Sequence, residues 1–124
     1  MSRALRQFVP ALVALVVLAG CGSGSGDTEA KANTDSSGAT TIDITIKGGT
    51  VKPSGSQVKV RKGKPVTLHI VADKAGELHV HSSPEQHIEF AAGTTDKTLT
   101  LDQPGVVDVE DHDLDKLIVQ LEVS

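Results

Sequence analysis

Val58-Lys59-Val60-Arg61-Lys62-Gly63-Lys64-Pro65-Val66-Thr67-Leu68 reads as a strand, a glycine turn and a second strand. Apolar side chains occupy every second position on either side of Lys62-Gly63, the period of a half-buried β-strand. The same alternation recurs outward in both directions. Upstream are Ile42, Ile44 and Ile46 before Gly48-Gly49. Downstream are Leu78 and Val80, then Leu99 and Leu101 before Pro104-Gly105, then Val107 and Val109. Leu117, Val119, Leu121 and Val123 follow. No segment sustains a helical period for three turns. About seven short strands separated by Gly, Pro, Asn or Asp turns predict an all-β sandwich or barrel with a Val/Ile/Leu core.

The first twenty residues have a different character. Arg3 and Arg6 precede an apolar stretch from Phe8 to Ala19, the layout of an export signal, and the stretch is too short for a comfortable bilayer span. Leu18-Ala19-Gly20-Cys21 resembles the lipobox of bacterial lipoproteins, whose cysteine is joined to diacylglycerol and becomes the first residue after cleavage. The expected organisation is a signal peptide over 1–20, lipidated Cys21 with a flexible linker over 21–40, and a domain over 41–124. Two or more acyl chains make a stable anchor. The expected location is the cell membrane, lipid-anchored on its extracytoplasmic face.

Removing the signal leaves ten Lys+Arg against sixteen Asp+Glu, and one aromatic residue, Phe90. Nucleic-acid binding is excluded on this reading, because both basic charge and stacking platforms are missing. Cys21 is the only cysteine and Met1 the only methionine. Once the first is acylated and the second removed, no thiolate or thioether remains for a metal.

Three segments resemble the cupredoxin-like domains of actinobacterial lipoproteins. They are Val58–Leu68, Glu77-Leu78-His79-Val80-His81, and Pro104-Gly105 through His112 with the apolar strand after it. The resemblance implies a Greek-key β-sandwich. It also implies an upstream histidine in the second segment and a downstream one in the third. Blue-copper members place a cysteine at about the position of Asp111 and a methionine after it; neither is present here, so a blue-copper centre is excluded.

A histidine site of another type is the remaining expectation. His79 and His81, two apart on a strand, leave one face with Cβ atoms about 7 Å apart. With His112 they form the expected ligand set for copper or, second, zinc. His87, in the loop after Pro84, is an outside candidate for a fourth ligand. Glu110 and Asp111 are candidates for an oxygen ligand or for fixing an imidazole tautomer. His69 alternates with Leu68 and Ile70 and reads as a surface residue.

The acidic run Asp108, Glu110, Asp111, Asp113 and Asp115 lacks the spacing of a calcium loop. The basic cluster Lys59, Arg61, Lys62 and Lys64 reads as charge guarding a sheet edge, with contact to anionic headgroups as the alternative. Ser82-Ser83 beside His81 lack an orienting third group and an oxyanion site, so no enzyme activity is expected. The functional expectation is a tethered module for metal capture or delivery, with a metal-delivery or membrane protein as partner. The rival is a metal-free structural or interaction lipoprotein that keeps the cupredoxin shape.

Overall fold

The computed structural model describes residues 29–124. The signal segment and Cys21 lie outside the described residues. Among the described residues, ten strands form two five-stranded sheets. The first sheet contains β1 (Ala32–Thr34), β2 (Thr40–Lys47), β5 (Pro65–Ala72) and β8 (Gly93–Thr100) in that order, with β3 (Thr50–Lys52) also on β2. The second runs β4 (Ser56–Val60), β10 (Lys116–Val123), β9 (Gly105–Asp111), β6 (Gly76–Val80), β7 (Gln86–Phe90). β2 with β5 and β4 with β10 are parallel pairs; the others are antiparallel.

The alternating positions face each other between the sheets. Ile42, Ile44, Leu68 and Ile70 of the first sheet pack with Leu78, Val80, Val109, Val119 and Leu121 of the second, all fully or almost fully buried. Gly48 and Gly49 both have positive φ and form the two-residue turn between β2 and β3, a conformation that side-chain-bearing residues resist. Gly76 lies against the Phe90 ring, its register partner; a Cβ there would stand 2.6 Å from Phe90 Cζ.

Three expectations change. Ordered structure starts before Thr41: β1 lies within the stretch expected to be linker and adds to the free edge of β2. Its small polar residues carry no apolar alternation, so only backbone pairing and the packing of Ala30 and Ala32 against the core mark it. The strands number ten rather than about seven, with β1, β3 and β7 additional. Finally, the alternation in β10 is broken by a bulge between Leu117 and Val119. Ile118 is fully buried and Leu117 only partly so, because the extra residue shifts the pleat by one position.

Candidate metal centre

β6 lies between β9 and β7, and its pleat decides which side chains meet. Leu78 and Val80 enter the core, so Glu77 and His79 stand on the outer face of the sheet. The register places His79 directly opposite His87 of β7 on one side and Glu110 of β9 on the other. His87 is therefore a strand residue, not a loop residue as expected. The Gln86–Phe90 alternation that forms the strand is only five residues long and follows Pro84.

One carboxylate oxygen, Glu77 Oε1, bonds both imidazoles: His79 Nε2 at 2.7 Å and His87 Nδ1 at 3.1 Å. Glu85 Oε1 faces the other nitrogens, 3.4 Å from His79 Nδ1 and 3.6 Å from His87 Nε2. The two rings meet edge to face with centroids 4.3 Å apart. Two carboxylates and two imidazoles thus alternate around a small ring, hydrogen-bonded at Glu77 and in looser contact at Glu85. The His79 side chain is its most enclosed member, 17% exposed against 52% for His87. The hydrogen bonds from His87 and then His79 hold the Glu77 carboxyl below its usual range, against a smaller opposing effect of burial.

Glu77, His79 and His87 each present a ligand atom, and these atoms lie within 4.8 Å of one another. Tetrahedral coordination at about 2.1 Å needs ligand separations of about 3.4 Å. The hydrogen-bonded distances therefore have only to open slightly for a divalent ion to replace the protons between the rings and the carboxylate. Two nitrogens and an oxygen suit Cu(II) or Zn(II); they suit Cu(I) poorly.

The other expected residues fall around this ring in different ways. His112 opens the four-residue loop between β9 and β10 and stacks flat on His79, centroids 4.5 Å apart with parallel planes. His81 shares the outward face but pairs with Glu110, Nε2 to Oε2 at 3.0 Å, as a separate couple. The Asp111 side chain is turned away from the outer face: it is 2% exposed, and its Oδ1 accepts the Leu114 amide at 3.0 Å, closing the loop that carries His112. The pleat that turns Glu110 outward turns Asp111 inward, so the role of ligand or tautomer partner expected for it is corrected to that of a turn cap. His69 sits on the outer face of the other sheet, bonded to Asp96.

Sequence reasoning missed Glu77 and Glu85 as members of the site. The available signal was a doubled spacing, Glu77-Leu78-His79 and Glu85-Gln86-His87, which sends each Glu and its His to one side of an extended chain.

No protein-family model matches the chain, and no curated protein matches it. Solved structures do match in shape. The metal-binding domain of the Streptococcus pneumoniae Cu(I)-exporting P-type ATPase CopA, solved with Cu(I), aligns with TM-score 0.58 at 14% identity over 79% of this chain and 97% of that one. A multi-copper oxidase from Pediococcus acidilactici aligns with TM-score 0.55 at 14% identity over 78% of this chain, which spans 28% of that enzyme's chain. A reduced tryptophan-to-tyrosine mutant of amicyanin aligns with TM-score 0.50 at 15% identity, over 73% of this chain and 86% of that one. At these identities the likeness shows the fold: a cupredoxin-like two-sheet sandwich.

Proposed function

We propose that this chain is a lipid-anchored extracytoplasmic protein whose cupredoxin-like domain binds copper, or secondarily zinc, for capture or delivery without catalysis. The observation that carries the reading is the convergence of His79, His87 and Glu77 on one point of the outer sheet face. Copper-binding proteins among the structural neighbours support the choice of metal. The lipobox-like Leu18–Cys21 supports the anchor and assigns the only cysteine to it. The site is then made of imidazole and carboxylate, with His112 in position to approach as a further ligand once it leaves its stack.

Titration of the chain from Gly22 onward with Cu(II) and Zn(II), followed by calorimetry, tests the metal. Binding tighter than micromolar that is lost in the His79→Ala, His87→Ala double variant is expected. Equal affinity of the parent and the double variant defeats the reading. One observation favours the metal-free rival: both imidazoles already have carboxylate partners without an ion. A melting temperature unmoved by Cu(II), Zn(II) and chelator is the outcome that selects it.

A further inference from the structure

The turn between β4 and β5, with the strand before it, carries Lys59, Arg61, Lys62 and Lys64. All four side chains are exposed, and among the described residues none has an ion-pair partner. Asp35, Asp102 and Glu122, the register partner of Lys59, lie at the same end, but Asp35 is spent on Ser37 and Ala39 and none of the three forms an ion pair with the four cations. β5 leads away from this turn for eight residues to Asp73, about 26 Å distant. Asp113 and Asp115 lie at that far end in the β9–β10 loop. Four cations are therefore gathered at one end of the sandwich, whereas Lys47, Lys74 and Lys116 stand among the carboxylates of the other.

β1 runs toward the same end, from Glu29 beside Ser54 and Gly55 at the level of Leu117. β1 runs into the turn at residues 35–39, and a Cβ on Gly38 would stand 2.9 Å from Arg61 Cδ and 3.4 Å from Lys64 Cγ. The eight peptide links from Cys21 to Glu29 span at most about 28 Å, more than the roughly 17 Å of strand between Glu29 and the basic turn. A lipid on Cys21 thus keeps the basic turn within reach of the headgroups.

We propose that this basic end docks on an anionic lipid surface and stands the domain on the membrane with the Glu77–His79–His87 cluster directed away. The cluster lies beside Glu110, whose register partner is Leu117, and β10 runs from there to Val123 at the basic end. Six residues of strand place the cluster about 20 Å from the headgroup plane, open to soluble donors and acceptors. A lipid plane suits this surface better than a protein does. The four cations are spread over an edge strand and a tight turn with no aromatic anchor, whereas protein interfaces depend on such anchors. The orientation rests on lipid attachment at Cys21; the affinity for anionic lipid does not.

Every core residue lies between Ile42 and Val123, so the chain from Gly22 onward contains the complete fold. Its sedimentation with vesicles of phosphatidylcholine alone, and of phosphatidylcholine mixed with phosphatidylglycerol, tests the surface. Binding to the mixed vesicles only, weakened by salt, is expected. Arg61→Gln and Lys62→Gln should each weaken it about five-fold at unchanged melting temperature. Lys97→Gln, a cation on the β8 edge, should leave it unchanged. Equal sedimentation with both vesicle types, no sedimentation, or retention on polyglutamate beads without vesicle binding overturns the proposal. Labelled-palmitate incorporation in the parent and in Cys21→Ser reads the anchor separately, so a missing lipid and an inert basic end give different results.

Discussion

The imidazole of His112 lies flat on that of His79, planes parallel and centroids 4.5 Å apart, although the two stand 33 positions apart in the chain. The contact joins the β9–β10 loop to the middle of β6, and through His79 to the carboxylate ring of Glu77 and Glu85. Removing the His79 ring should therefore have two effects, one on the ring and one on the loop.

For metal affinity, the expected order follows from who touches the centre. His79→Ala and His87→Ala each remove a nitrogen and should weaken Cu(II) binding at least a hundred-fold. His81→Ala, which breaks the couple with Glu110 and leaves the ring intact, should change it less than about three-fold. His112→Ala should fall between, by about ten-fold, the range for groups that orient a ligand. Calorimetric titration of the four variants measures the order; equal losses for His79 and His81 would contradict the geometry.

Asp111→Ala removes a buried acceptor and leaves the Leu114 amide without its partner. An uncompensated loss of this kind costs about 1–3 kcal/mol, read as a drop in urea midpoint at constant slope. The His112 ring resonances should move as well, because the loop that positions the stack has lost its cap.

Gly76→Ala should destabilise by about 1–3 kcal/mol through overpacking. The added methyl meets the Phe90 ring edge at 2.6 Å, and Phe90 is itself buried, with little room to retreat. Pairing it with Phe90→Leu should recover part of the loss in the double variant; strict additivity of the two changes would count against the contact.

Asp35 supplies the pH dependence of the N-terminal hairpin. Its carboxyl is held below the usual range, first by the Ser37 hydroxyl and then by the backbone amides of Ala39, Ser37 and Gly38, against the opposing effect of burial. Because the folded value is the lower one, the stabilisation is complete above the unfolded value of about 3.9. It is lost as pH falls through the folded value. Amide exchange at Asp43, which donates to Lys31 across β1 and β2, should accelerate below that range in the parent and be fast at all pH in Asp35→Ala. An Asp43 amide that exchanges equally in both proteins would show that the turn does not hold β1.

The amino-acid sequence by itself determined the fold class and which side chains point outward. Strict alternation commits Leu78 and Val80 to the core and so turns Glu77 and His79 to the surface, whatever the neighbours are. It also confines any thiolate or thioether ligand to Cys21 and Met1, since that is a matter of composition. What it did not contain was register. Whether His79 meets His87 or His112 depends on how β7 and β9 slide against β6, and a slip of one residue would reverse every face. That alignment is decided by the fit of Leu78, Ile88 and Val109 in a core assembled from distant segments, and by Asp111 closing the loop beneath His112. The bulge at Ile118 is of the same kind, an inserted residue that packing selects and periodicity conceals. Alternation is a local property of an extended chain, whereas the meeting of two histidines across a sheet is settled only by the packing of the whole sandwich.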